Sequence, residues 1–375
     1  MTRYEIKHAI DSKLKEGRSV VLVGCHGIGK NKFVCETIPE TIKIPGRGYL
    51  NASRWKREDF YENIVEKGMD FSGLILCIPN LFELKDPFSI INLLFDRRIL
   101  FLATSDFLAY QDDSDYSSIS GRFETINVGS LDYRDWRKEN ASLSYSNFCL
   151  NDYPEYQGDS TLLNIIHHGL ARGKRVEEQS QKLMLLMKCI LGNGEETFSF
   201  RSLSERTKFS PNTIEGYIKK LLGMNLLYSV KRVNLKEKEN AKPRFIFYPT
   251  FNSFYPFSMN DLAKEKNQKA IYTSKLIGKL FAYNYEVSSG YLYSTKKGLI
   301  NRYQECGFVL KRNDKILYMF IDSAYDEMKA KPMLCTKDGN PKYYVVLSGQ
   351  GIQTLDNGIK LIGIDRLIKG DLGEL

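Results

Sequence analysis

Histidine is scarce in this chain of 375 residues: there are four, and two of them, His167 and His168, are adjacent. Adjacent side chains on a helix leave in different directions, so this pair does not share a face at metal-ligand spacing. The seven cysteines, Cys25, Cys35, Cys77, Cys149, Cys189, Cys306 and Cys335, are odd in number, scattered, and contain no Cys-x-x-Cys pair. Neither a disulfide framework nor a zinc site is indicated. Long apolar runs are also lacking. Nothing approaches the ~18 or more apolar residues that a membrane span needs, and the opening MTRYEIKHAIDSKLKEG has no apolar core of a secretion signal. The expectation is a cytoplasmic protein.

What the chain does contain suits an ordinary globular protein: 42% hydrophobic and 26% charged residues. Its length allows two or three domains. The net charge of +9 is unevenly spread, with the first 150 residues close to balanced and the excess in the remainder. A polyanion would find its surface in that later part.

The strongest local signal lies near the start. Tyr4 to Glu16 reads as an amphipathic helix, Gly17 breaks it, and Val20-Val21-Leu22-Val23 reads as a buried strand. Gly24-Cys25-His26-Gly27-Ile28-Gly29-Lys30-Asn31 follows, then a helical segment from Lys32. Strand, glycine-rich loop and helix in that order make a P-loop. Its backbone N–H groups surround phosphate oxygens, and Lys30 brings a charge to the β- and γ-phosphates. The expected nucleotide-binding residues are Gly24, Gly27, Ile28, Gly29, Lys30 and Asn31, and the expected ligand is ATP.

Two parts of the motif are missing. A Ser or Thr hydroxyl after the lysine would coordinate Mg²⁺, but Asn31 stands there. A second acidic anchor would end the strand Gly73 to Ile78, yet Pro79-Asn80 follows it. Phosphoryl transfer rests on metal and charge positioning, so hydrolysis is expected to be weak or lost. Glu83 and Asp86, from the next loop, are the candidate substitutes. Thr104 and Ser105, ending the strand Ile99 to Ala103, are candidates to sense a γ-phosphate, or else Ser105 or Asp106 caps a helix. Arg122 is a candidate charge-stabilising residue, with a surface ion pair as its alternative.

Together these pieces resemble a family of prokaryotic AAA-type ATPases that join a P-loop domain, a winged helix and a nuclease-like C-terminal domain. The matching segments are Gly24 to Lys30, the strand ending at Cys77 and Ile78, Ala103-Thr104-Ser105, Gly121-Arg122, Leu131 to Trp136, and Asn151 to Glu155. The departures fall at catalytic positions. Asn31 replaces the hydroxyl residue, and Cys77-Ile78 stand where the family has two acids.

From Ser180 the period turns helical, with Leu183, Leu186, Met187, Ile190 and Leu191 on one stripe. Ser210 caps a further helix with Pro211 at its first position and Ile214, Ile218 and Leu221 on its apolar face. Strands at Leu226 to Val233 and Arg244 to Tyr248, joined by a lysine-rich turn, complete a winged-helix pattern. Asn212, Thr213, Lys219 and Lys220 on that helix, with Lys231 and Arg232 on the wing, are the candidate contacts to double-stranded DNA. A lid packed on the ATPase domain is the alternative use, and Glu215 on the same face opposes DNA.

The last part reads as a helix at Lys275 to Tyr285 and strands at Phe308 to Lys311, Ile316 to Ile321, Tyr343 to Leu347 and Leu361 to Ile364. The resemblance implies a restriction-endonuclease-like core, whose acids and lysine would hold Mg²⁺. Glu305 and Asp322 remain here as isolated acids, but Gly307 and Ser323 replace an acid and the lysine. The expected organisation is an α/β protein with a P-loop AAA-type domain over 1–155, a helical linker and winged helix over 156–250, and a degenerate nuclease-like domain over 251–375. The expected function is an ATP-binding, DNA-associated regulatory protein, with a protein partner or homo-oligomer as further candidates. The alternatives are an active ATPase using a non-standard acid and a nucleotide-independent DNA-binding or scaffold protein.

Overall fold

The computed structural model describes residues 3–24, 29–106, 119–129, 133–139, 162, 163, 166, 170, 176–192, 200–235, 244–250, 265–294, 302–336, 338–349, 351–370 and 372. Of the expected features, Gly27 and Ile28, the Asn151 to Glu155 segment and the turn of the wing lie outside the described residues. The chain forms two compact units. One takes Met1–Leu131, His167–Lys174 and Lys219–Asn225, and the other takes the rest.

The first unit is built on five parallel strands: β1 (Val20–Val23), β2 (Gly48–Asn51), β3 (Leu74–Ile78), β4 (Leu100–Ser105) and β5 (Glu124–Asn127). They lie in the order β2-β3-β4-β1-β5. This is an open, wholly parallel α/β arrangement. The strand sequences are nearly continuous apolar runs because both faces are covered. Alternation sorts them: Val20 and Leu22 face one core with Ile75, Cys77, Leu100 and Leu102. Val21 and Val23 face the other with Leu76, Ile78, Phe101 and Ala103.

Helices supply the other half of each core. On the first face lie α1 (Arg3–Lys15), through Ile6, Ile10 and Leu14, and α2 (Lys30–Lys32), which runs on as a π-helical turn Phe33–Thr37 and a last turn Ile38–Thr41. On the second lie α3 (Arg57–Tyr61), through Phe60, and α4 (Pro87–Asp96), through Ile90, Ile91 and Leu94. Each fully buried Leu, Ile or Phe contributes about 1.5–3 kcal/mol to this arrangement. The helix expected from Tyr4 and the strands expected from Val20, Gly73 and Ile99 are present. β2 was not expected: it is a half-exposed edge strand, Gly-Tyr-Leu-Asn, with little apolar signal.

The second unit begins with α5 (Tyr133–Glu139), α6 (Val176–Gly192), α7 (Phe200–Thr207) and α8 (Pro211–Gly223), the last helix ending within the first unit's residues. Then come β6 (Leu227–Asn234), β7 (Arg244–Pro249), α9 (Glu265–Ala282), β8 (Glu286–Ser294), β9 (Arg302–Arg312), β10 (Lys315–Asp322), α10 (Glu327–Leu334), β11 (Lys342–Val346), β12 (Ile352–Thr354), β13 (Lys360–Gly363) and α11 (Ile364–Lys369). All eight of these strands form one mixed sheet, β12-β13-β11-β10-β9-β8-β6-β7. The β6–β7 hairpin expected as a wing is therefore the margin of a larger sheet. β6 runs parallel to β8, with Lys231 opposite Ser288 and Asn234 opposite Tyr291.

β9 carries an irregularity with a steric cause. Its pairing with β8 slips by one residue at Cys306, between Gly307 opposite Gly290 and Glu305 opposite Tyr291. Gly307 has φ +77, and a Cβ there would stand 2.3 Å from the Met319 carbonyl oxygen of β10. No side chain fits. The acid that a nuclease-like core would place at this position is excluded by backbone contact.

Candidate nucleotide site

In an open parallel sheet, ligands bind beyond the carboxyl ends of the strands. The glycine-rich segment begins there, because Gly24 N–H donates to the Ser105 carbonyl at 3.1 Å and so continues the pairing of β1 with β4. Just before α2, Gly29 has φ 80 and ψ 12, a left-handed conformation that glycine adopts without strain. Its carbonyl accepts the Phe33 N–H at 3.0 Å as the helix starts.

Lys30 follows and is turned inward, its side chain 3% exposed. Its Nζ lies 2.6 Å from Asp106 Oδ1, whose side chain is 6% exposed. A buried charge costs several kcal/mol unless it is paired, so each of these residues depends on the other. Asp106 was not among the expected site residues. The only sequence signal was an acid one position beyond Thr104-Ser105, and a helix cap accounted for it equally well.

Asn31 turns toward the ends of the two neighbouring strands. Its Nδ2 donates to Asn80 Oδ1 at 3.0 Å, its Oδ1 accepts the Thr104 hydroxyl, and the Asn80 N–H donates to Thr104 Oγ1 at 2.8 Å. The three residues close a ring of hydrogen bonds. They come from the position after the P-loop lysine, the turn after β3 and the end of β4. Asn80 holds its place in left-handed backbone at φ 51.

The donor chemistry of this ring does not fit Mg²⁺. Its oxygens are neutral, and Asn31 Oδ1 already accepts a hydroxyl hydrogen, whereas Mg²⁺ sites use carboxylates and phosphates in octahedral array. Among the described residues there is no group of three or more His, Cys, Asp or Glu placed to hold a metal.

The other expected residues are occupied elsewhere. Asp86 caps α4, accepting from Ser89 N at 3.4 Å, and lies 3.5 Å from Arg57 Nε. The Ser89 hydrogen bond, with help from Arg57, holds its carboxyl below the ordinary range. Glu83 closes a single 3₁₀ turn, Leu81–Glu83. Arg122 lies over the Phe95 ring at 4.8 Å and 3.5 Å from Asp96 Oδ1, against the end of α4. Thr104 is fully buried within the ring, and Ser105 is buried with its carbonyl engaged by Gly24.

On α8 the exposed positions are Pro211, Asn212, Glu215, Gly216 and Lys219, and Lys220 is half-buried. Thr213 is drawn into the cap: its N–H donates to Ser210 Oγ at 3.2 Å, and the two hydroxyls are 2.8 Å apart. Arg232 stacks on the Tyr291 ring at 4.6 Å and lies 3.8 Å from Glu305. Lys231 is half-buried in β6.

In the larger sheet Asp322 is buried at the end of β10, with Lys329 Nζ at 2.5 Å, the Ser323 N–H at 2.9 Å, and Lys269 Nζ and the Tyr344 hydroxyl at 3.4 Å. Burial pushes its carboxyl up, but the Lys329 and Ser323 hydrogen bonds and the two lysine charges together hold it below the ordinary range. Burial likewise pushes Tyr344 up to about 12. Asp322 is thus a clamp between α9, β11 and α10.

No family model matches the chain, and no curated protein matches it in sequence. Among solved structures it is similar to the RuvB Holliday junction branch migration motor of Thermotoga maritima, at 13% identity over 62% of this chain and 88% of that one, with a TM-score of 0.31. It is similar to AMPPCP-bound DnaA from Aquifex aeolicus, at 14% identity over 58% of this chain and 86% of that one, with a TM-score of 0.26. Drosophila ORC bound to AT-rich DNA and Cdc6 gives 14% identity, coverage of 65% and 87%, and a TM-score of 0.25. At these values the likeness says nothing of ligand or reaction. Among the described residues, no helix is long and apolar enough to cross a membrane.

Proposed function

We propose that this chain is a P-loop protein that binds ATP-class nucleotides through their phosphates and holds them with weak or no hydrolysis. The closed ring of Asn31, Asn80 and Thr104 carries this reading. It fills the positions from which a P-loop enzyme would hold its metal with neutral, mutually satisfied groups. Lys30 and the backbone around Gly24 and Gly29 keep the features that bind phosphate. A site of this kind senses or stores nucleotide.

The reading continues into the second unit, where α6, α7 and α8 with the β6–β7 hairpin are taken as a winged helix over 156–250. The sheet beyond is taken as a degenerate nuclease-like domain over 251–375. The protein is then a DNA-associated switch, with Asn212, Lys219, Lys220 and Lys231 facing phosphates and Arg232 and Thr213 shaping the surface. A protein partner or a second copy would relay the state of the site.

Fluorescent ADP and ATP analogues titrated against wild type and Lys30→Ala test the core of this. Binding by wild type alone supports it, whereas equal signals, or none in either, sink it. Mg²⁺-dependent phosphate release above the Lys30→Ala background would instead establish an active ATPase. For DNA, gel shifts across a salt series should weaken as salt rises and weaken further in Lys219→Glu/Lys220→Glu. A salt-insensitive shift, or one unchanged in the variant, removes the DNA reading.

A further inference from the structure

The carboxylate of Asp106 meets Lys30 Nζ at 2.6 Å, and its aim is set by the backbone on both sides of it. A Cα lies between two planar peptide groups, so fixing both planes fixes the direction of its side chain. On one side of Asp106, the Ser105 carbonyl accepts the Gly24 N–H at 3.1 Å, continuing the pairing of β1 with β4. On the other side, the carbonyl of Asp106 itself accepts from Asn225 Nδ2 at 3.3 Å. Both planes are pinned.

The two pins differ in kind. The first extends a strand ladder between two buried strands, whereas the second is a single side-chain hydrogen bond, longer than the common N–H···O range. Asn225 stands in the turn that ends α8, in the same compact unit as Lys30 and Asp106. Its N–H donates to the Leu222 carbonyl at 3.0 Å and the Met224 N–H to the Lys220 carbonyl at 2.9 Å, so the last turn of the helix runs directly into it. The backbone of Asn225 is left-handed, with φ 54, a conformation in which asparagine is enriched several-fold over most residues that carry a side chain. Asparagine thus closes the turn and also reaches Asp106. Glycine would do only the first.

We infer that the turn after α8 is a latch on Lys30: Asn225 is a positioning residue that holds Asp106 against the ammonium and so keeps it buried and paired. A movement of the last turn of α8 then reaches Lys30 through one hydrogen bond and one ion pair. The bearing of this latch on function rests on the nucleotide-binding reading above, in which Lys30 is the group that meets phosphate.

The test is amine labelling of the full chain with limiting acetic anhydride, without nucleotide, read at Lys30 by mass spectrometry and normalised to exposed Lys32. Alkylation of the buried Cys77 thiol by iodoacetamide reports any general opening of the unit. Asn225→Gly keeps the left-handed turn and deletes the amide. It should raise Lys30 labelling about two- to tenfold, the range for loss of one neutral hydrogen bond, with Cys77 unchanged. Asp106→Asn should raise it at least as much, and adding Asn225→Gly to Asp106→Asn should raise it no further, because Asn225 acts through the acid. If Asn225→Gly fails to fold, Asn225→Asp takes its place, since it tolerates the same backbone and its carboxylate cannot donate. If Asp106→Asn fails to fold, Asp106→Ser replaces it. Lys30 labelling unmoved by the change at 225, raised only together with Cys77, or raised equally with and without Asp106 would overturn the latch. No arm of this experiment contains nucleotide, so it judges the latch separately from the titrations that judge binding.

Discussion

The Asn31 amide donates to Asn80 Oδ1 at 3.0 Å and so ties the residue after the P-loop lysine to the turn after β3. If these amides stand in for a hydroxyl and an acid, wild-type nucleotide affinity should be the same in Mg²⁺ and in EDTA. The double variant Asn31→Ser/Asn80→Asp should acquire a Mg²⁺ response, with triphosphate affinity rising about tenfold on adding the cation, the size of one charge-assisted contact. Calorimetric titrations with and without Mg²⁺ check both statements. A Mg²⁺ response in wild type would show that the ring opens to admit the ion.

Lys30→Ala should cost stability as well as binding. The substitution takes from buried Asp106 the ammonium that lies 2.6 Å from it, for which about 3–5 kcal/mol is expected. Adding Asp106→Asn to Lys30→Ala should recover part of that loss, because the second change removes the buried negative charge that Lys30 had offset. Urea unfolding of the single and double variants measures it, and strict additivity would mean that the two side chains are not coupled.

Gly307→Ala should destabilise the second unit by about 2–3 kcal/mol, the range for forcing a side chain into disfavoured backbone. The Cβ would meet the Met319 carbonyl oxygen at 2.3 Å as well as a φ of +77. By contrast, Gly29→Ala has a similar φ of +80 but no atom within 4 Å, so its cost should be smaller. Thermal unfolding of the two variants side by side gives the comparison.

Asp322 should make the second unit acid-sensitive. Its carboxyl is held below the ordinary 3.8, so the stability it contributes is present above about pH 4 and is lost as pH falls through the depressed folded value. Lys329, raised above 10.5 by its hydrogen bond to Asp322, contributes below that pH and loses its contribution as pH rises through the raised value. Unfolding midpoints from pH 2 to 6 should fall less steeply toward acid in Asp322→Asn than in wild type. Parallel curves would mean that other carboxylates set the acid limit.

The sequence made the first unit legible to an unusual degree because its strands are buried on both faces and read as uninterrupted apolar runs. Val20 to Val23, Leu74 to Ile78 and Leu100 to Ala103 needed no partner to be recognised. β2 escaped because Gly48 and Asn51 are exposed and only Tyr49 and Leu50 carry a partial signal. β8 escaped for a related reason: Ser288, Ser289 and Gly290 interrupt its apolar alternation, although both serines are buried. At the site, the missing hydroxyl and acid were plain from the residues at 31 and 78–80. The pairing of Lys30 with Asp106 joins positions 76 apart and could not be read from either. Arg232 shows the same limit, since its stacking on Tyr291 depends on β6 lying beside β8.

That parallel pairing of β6 with β8 bears on how the chain can be dissected. A fragment ending at residue 250 would keep the hairpin partner β7 but lose the strand that bonds Lys231 through Asn234 along their other edge. The freed row of N–H and C=O groups would be open to pairing with other copies. The segment over 156–250 is therefore best cut out together with the strands that follow it, as one piece of hydrogen-bonded fabric.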